Sequence, residues 1–147
     1  MSELTIREME QDEDFAAWYS EILEQEEDAS GSLGTSGAID ERYLVLSNEI
    51  GDWIGGLRYW LRGGVAQLVN VVILPQERHQ GHAHRLLAAF EHRAAESGAH
   101  MAEFWTDDER SEGLLAALGW RRIFHRENYV GRRSWSLMEK QLSHDQR

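Results

Sequence analysis

Three of the chain's seven histidines, His79, His82 and His84, lie within six residues of one another in the stretch ILPQERHQGHAHRLLAAFEHRAAE. Imidazole is the commonest protein metal ligand near neutral pH, so zinc is the first chemistry such a cluster raises. The spacing works against it. If a helix begins here, His82 and His84 sit about 200° apart around its axis and cannot face one ion, and no metal site is expected. A second chemistry needs only the backbone. Where a buried strand ends and a helix begins, the first N–H groups of the helix have no intrahelical partner, and the helix dipole adds partial positive charge. Arg78, Gly81 and Ala83 fall at such a junction, with small residues where the chain must approach a bound group closely. An anion, in particular a phosphate-bearing ligand, suits that arrangement. A glycine at a strand–helix junction is also an ordinary turn residue, and R-x-x-G-x-A alone does not choose between the two.

The surrounding pattern supplies the strand and the helix. Residues 65–74, VAQLVNVVIL, pass from alternation into a continuous apolar run that suits a central strand covered on both faces, and the run stops at Pro75, the only proline in the chain. Ala83, Leu86, Leu87, Phe90 and Ala94 then recur at helical spacing up to a glycine cap at Gly98. Upstream, RYLVLSN and DWIGGLRYWLRGG are two further strands, with turn signals at Asn48 to Asp52 and at Gly63-Gly64, and they form an antiparallel meander with 65–74. Downstream, HMAEFWT is a strand and residues 108–118 are a short helix closed by Gly119. WRRIFHRE and RRSWSLMEKQL are then two strands joined around Asn128 to Gly131. At the N-terminus ELTIREM alternates Leu4 and Ile6 with polar residues as a short strand, and Phe15, Trp18, Tyr19, Ile22 and Leu23 mark an amphipathic helix starting at Asp12 or Asp14. Residues 30–38, rich in Gly and Ser, form a loop near a site. Strand, helix, strand over residues 65–106 is a right-handed crossover inside an otherwise antiparallel sheet. The expected fold class is α/β: one domain over residues 1–147, its mixed, mostly antiparallel sheet flanked by helices.

Composition excludes several functions. With no cysteine the chain has no disulfide, thiolate nucleophile or zinc–thiolate site. Its net charge of −11 is uneven: residues 1–30 hold 11 acids against one Arg. No basic stripe exists for nucleic acid, and no apolar run is long enough for a membrane span. The N-terminus lacks the basic start and apolar centre of a secretory signal, so a cytoplasmic protein is expected. The acidic run EILEQEEDAS could draw in a cation or simply be a solvated helix face.

VVILPQERHQGHAHRLLAAFEHRAAESGA as a whole resembles the acetyl-CoA-binding segment of the GNAT superfamily of N-acetyltransferases. That pattern is a hydrophobic strand, often a proline, then [QR]-x-x-G-x-[GA] and an amphipathic helix, and Arg78, Gly81 and Ala83 fill its three positions. ERSEGLLAALGWRRIF is similar to the superfamily's helix ending in a Leu-Gly-aromatic step, here Leu118, Gly119 and Trp120. ENYVGRRSWSLMEKQL is similar to the closing hairpin of one bacterial subgroup. Together the matches run from about Gly55 to Leu142 in the correct order, while the first 40 residues match only in element order.

The resemblance implies a sheet splayed between strands 65–74 and 100–106, with acetyl-CoA in the splay as co-substrate. Pantetheine would pair with the backbone of Val71, Val72 and Ile73, as an extended ligand adds to an open strand edge. The pyrophosphate would take N–H groups from His79, Gln80, Gly81, His82, Ala83 and His84, with side chains of Arg78, His84 and Arg85 adding charge. It implies direct transfer of acetyl to a primary amine of a small molecule or protein. Glu103 and Asp107 are the nearest carboxylates, and Asn70 could orient a water, although Asp107 could equally be a helix N-cap, Glu103 an outward strand residue and Asn70 a satisfied core amide. Many relatives carry a tyrosine four residues before the helix-ending glycine to protonate the sulfur. Leu115 stands there in this chain, so Tyr129 or water would have to substitute, or the chain is a weakened GNAT serving as a CoA-binding module. Trp53, Tyr59, Trp60 and Trp105 could line the acceptor pocket or belong to the core. The acidic helix and the 30–38 loop lie where relatives build the acceptor side, which hints at a cationic acceptor. Homodimers are frequent in the superfamily, and one is expected here.

Overall fold

The computed structural model of the chain describes residues 4–30 and 39–143, in two compact units, Met1–Ala38 and Ile39–Arg147. In the first unit, helix α1 (Glu13–Ser30) is capped by Asp12, whose Oδ1 accepts the N–H groups of Asp14 at 2.9 Å and Phe15 at 3.1 Å. Two of the four orphan donors of the first turn are thereby satisfied. Phe15 lies against Trp18 and Tyr19, with ring centroids 5.6 and 6.0 Å apart, so the expected apolar face is formed. The strand expected over residues 4–8 does not form, and residues 4–12 have no regular structure. Leu4 and Ile6 are followed by Arg7, Glu8 and Glu10, too little apolar surface to fix an extended segment by burial. The loop expected at 30–38 lies outside the described residues, except Ser30, which ends α1.

The second unit is a six-stranded sheet with helices, of element order β1 (Asp40–Ser47), β2 (Trp53–Arg62), β3 (Val65–Ile73), α2 (His82–Glu96), β4 (Met101–Thr106), α3 (Glu109–Ala117), β5 (Arg121–Arg126) and β6 (Trp135–Gln141). The spatial order is β1-β2-β3-β4-β6-β5, in which only β3 and β4 run parallel. The expected meander and the mixed, mostly antiparallel sheet are both present. Asn48 holds the first turn, its Oδ1 accepting from Ile50 N and Asp52 N. The link between β5 and β6 carries a short 3-10 turn, Val130–Arg132, with left-handed residues at Asn128, Gly131 and Arg132. Among the described residues no helix is long and apolar enough to cross a membrane.

Helix α2 packs on β1, β2 and β3, and α3 packs on β4, β5 and β6. Phe90 joins the two groups: it is fully buried, edge-on to Tyr59 at 5.0 Å and stacked on Trp120 at 6.3 Å. A buried aromatic ring of this kind stabilises by about 1.5–3 kcal/mol. Trp120 reaches that position because α3 ends in a left-handed Gly119. Gly119 N donates to Ala116 O and Trp120 N to Leu115 O, a Schellman closure that turns the chain back into the core. Tyr59 is thus a core residue.

One expectation about β3 needs correction. Its apolar C-terminal run is not covered on both faces, since Val72 is 62% exposed. The register against β2 shifts between Arg58 and Tyr59, which pair with Asn70 and Leu68 and leave Val69 as an extra residue. Such a bulge bends the strand and sharpens its twist. Beyond it, β3 leaves its parallel neighbour.

Candidate active site

The pairing of β3 with β4 covers only Val65 with Met101, Ala66 with Ala102 and Gln67 with Glu103. Past these residues the strands diverge around a cleft of about 570 Å³. One wall is β3 from Leu68 to Ile73, the other is Phe104, Thr106 and Asp107, and α2 and α3 contribute Ala83, Leu87 and Leu114. An opened parallel pair exposes strand-edge backbone, which an extended ligand can match group for group.

The junction after β3 closes one end of this cleft. Pro75–Glu77 forms one 3-10 turn, and His79 and Gly81 then take left-handed conformations at φ 65° and 81°. The first intrahelical bond of α2 runs from Arg85 N to Gly81 O at 3.1 Å, so the N–H groups of His82, Ala83 and His84 have no acceptor within the helix. A Cβ built at Gly81 would meet no atom within 4 Å. Left-handed corners beside free helix-start N–H groups make an anion cradle, and the hollow at Gly81 leaves room for a phosphate. Arg78 is tied to the strand end, donating from Nε to Ile73 O at 3.3 Å, and it lines the cleft together with Arg110 of α3. Two guanidinium groups thus border the cleft of a strongly acidic chain.

The side chains of the loop point in different directions. His79, Gly81 and His84 line a hollow with Arg78 and Ala83, whereas Gln80 and Arg85 line another beside the β1–β2 turn. The side chain of Arg85 is therefore not in the cleft with Arg78, because it follows the next face of α2. His82 is 9% exposed, neither ring nitrogen has a hydrogen-bond partner, and Nε2 is 3.8 Å from Glu77 Oε2. Its side chain fills space beneath the loop. Among the described residues no three His, Asp or Glu side chains converge as a metal would require.

The Acetyltransferase (GNAT) family matches residues 4–120, most of the chain. The protein belongs to this family. Solved GNAT structures share its fold. An acetyltransferase from Bacillus cereus ATCC 14579 is 20% identical, with a TM-score of 0.72 over 92% of this chain and 98% of that one. The ribosomal-protein-S18-alanine N-acetyltransferase from Escherichia coli is 18% identical, with a TM-score of 0.65 over 82% of this chain and 79% of that one. A GNAT family acetyltransferase from Elizabethkingia anophelis with acetyl-CoA bound is 14% identical, with a TM-score of 0.64 over 69% of this chain and 76% of that one. No curated protein matches the chain.

As a GNAT acetyltransferase the chain needs groups that handle protons near the splay. Asn70 is exposed at the bulged end of β3 and lines the cleft. Asp107 also lines it, but Oδ2 accepts from Arg133 Nε at 2.6 Å, so this carboxylate is engaged in an ion pair. Glu103 lies in the paired part of the sheet, opposite Gln67, and borders a separate hollow with Trp60 and Arg62. The pairing ends at Glu103, so the opening begins beyond it. Tyr129 packs on Trp105 at 5.9 Å beneath the guanidinium of Arg126 at 4.9 Å and does not line the cleft. The N-cap of α3 is Asp108, which accepts from Arg110 N at 3.0 Å and Ser111 Oγ at 3.2 Å. Leu115 is 2% exposed and belongs to the core cluster of Phe90 and Leu87, and it also lines the cleft.

Arg110 and Ser111 escaped the sequence reading although both line the cleft. Their available signal was position, since the first turn of a helix after a strand of the splay faces the opening.

Proposed function

We propose that the protein transfers the acetyl group of acetyl-CoA to a primary amine, with both substrates held at once across the β3–β4 opening. The observation that carries this reading is the splay itself, closed at one end by the phosphate-compatible cradle at Gly81. Val71, Val72 and Ile73 would pair with the pantetheine arm, and the N–H groups from Gly81 to His84 would hold the pyrophosphate, with Arg78 adding charge. Bound there, the co-substrate supplies an activated acetyl carbon. The amine must arrive neutral, which for a group of pKa about 10 means losing a proton first. Asn70 is suited to orient a water that carries this proton to solvent, while Asp107 and Arg133 set the local charge. Once both partners are held in reacting geometry, proximity supplies much of the rate.

The reading is tested by thiol release from acetyl-CoA with a panel of amines, beside calorimetric titration of CoA. Amine-dependent thiol release with saturable CoA binding is the expected result. CoA binding with no turnover on any amine would instead favour a CoA-binding module, the reading supported by Leu115 buried where relatives carry a tyrosine.

A further inference from the structure

His82 opens α2, and its N–H is one of the groups left without an acceptor in the helix. Its side chain meets a different environment. The residue is 9% exposed, and both ring nitrogens lack a hydrogen-bond partner among the described residues. A neutral imidazole carries one donor and one acceptor, and leaving both unmet away from water is costly, so a position that only had to be filled would be better served by leucine. A buried orphan of this kind in a binding loop calls for a partner that arrives with the ligand. The hollows on either side of it, one shared with Arg78 and Gly81 and one with Gln80 and Arg85, are lined among the described residues by the second unit alone.

A charge partner lies close by. Glu77 ends the 3-10 turn before the loop, and its Oε2 is 3.8 Å from His82 Nε2, too long for a hydrogen bond and well placed for an ion pair once the ring is charged. Arg78, His79 and His84 face one of the two hollows, and Glu49 of the β1–β2 turn and Arg85 face the other. The strands and α3 contribute only Leu46, Ser47, Ile54, Ile73 and Leu114, none of them charged. Carboxylates and guanidiniums keep their charge near neutrality, so Glu49 and Glu77 balance Arg78 and Arg85 throughout that range. An imidazole changes charge there, and a nearby anion favours its charged form. A pyrophosphate held by the N–H of His82 would lie within one residue's span of this ring, where burial limits screening.

We propose that His82 is a positioning residue of the cradle whose imidazole takes up a proton when CoA binds, the imidazolium pairing with Glu77 and facing the pyrophosphate held by the loop. The inference rests on the CoA-binding reading and deepens it by tying that binding to pH. The proton comes from solvent and returns to it when CoA leaves, and no covalent bond to carbon, phosphorus or sulfur changes. Closing the gap to Glu77 draws the 3-10 turn onto the start of α2. Because the bound form holds the proton more tightly, CoA affinity is greatest on the acid side and falls as pH rises through neutrality.

Calorimetric titration of CoA into the full chain at about pH 6 and about pH 8, in buffers of different ionisation enthalpy, tests this. Between these two values the unaltered protein is expected to lose about tenfold more affinity than His82→Leu, equivalent to about half a proton taken up at His82. The 3′-phosphate of CoA titrates in the same range, equally for every protein, so the difference between proteins is the readout. In a denaturant melt His82→Leu should be at least as stable as the unaltered chain, because an apolar side chain leaves no unmet polar atom. A residue that only shaped the loop would not lose pH dependence while keeping stability. His82→Gln, polar but unable to take a proton, should also lose the steep dependence, whereas the double variant His79→Ala, His84→Ala should keep it. Equal pH dependence in the unaltered protein and both His82 variants, or its loss in the double variant instead, would overturn the inference and leave CoA binding standing. Failure of CoA to bind the unaltered protein at either pH would overturn the cofactor reading, and this inference with it.

Discussion

The two ends of the β3–β4 cleft are built on different principles. At the end proposed to hold phosphate, the groups on offer are backbone N–H groups, set by a left-handed glycine and the first turn of α2 within a few consecutive residues. At the end proposed for the chemistry they are side chains, Asn70 of β3 and Asp107 just after β4, the latter held by Arg133 of the last hairpin. A backbone site is insensitive to most side-chain changes and intolerant of one, while a side-chain site should lose function by degrees.

The largest expected effect tests the first half of that contrast. Gly81→Asp puts a carboxylate into the hollow at a φ of 81° and should weaken CoA binding about 100-fold or more by calorimetry, with far-UV circular dichroism unchanged. Normal binding would mean that the loop holds no phosphate. At the other end, Asn70→Ala should lower kcat about 10- to 100-fold with the KM for acetyl-CoA little changed, as loss of an oriented proton path does. An unchanged kcat would remove Asn70 from the chemistry. Leu115→Tyr should cost about 1–3 kcal/mol in a denaturant melt, with no gain in rate, because the residue is 2% exposed in the core cluster even though it lines the cleft. A faster enzyme would show instead that a hydroxyl at this point reaches the leaving sulfur. The smallest effect belongs to His84→Ala, an exposed side chain over a backbone site, which should weaken CoA by less than about tenfold. A larger loss would shift the recognition from backbone to imidazole.

The contrast also accounts for what could be seen in the sequence. The cradle was legible because its cause is local: an apolar run, one proline, a glycine at a fixed distance and then helical periodicity. The meander, α2 and α3 with its Leu-Gly-Trp ending follow from the same local signals. The strand over residues 4–8 did not form, since alternation of two apolar residues proposes an extended segment but supplies neither a partner nor enough surface to bury. Glu103 and Asp107 looked equivalent as the two carboxylates near the end of one strand. They separate because strand pairing stops at Glu103 and because Arg133, 26 residues downstream, lies against Asp107.

By itself the sequence determined the elements, their order and a phosphate-compatible turn, all of which depend on residues within one helical turn or one strand of each other. The tertiary structure alone decided where β3 parts from β4, that Leu115 belongs to the core, and that His82 is buried beside Glu77. Those outcomes depend on register, bulges and side chains far apart in the chain, and no local pattern encodes the distance between them.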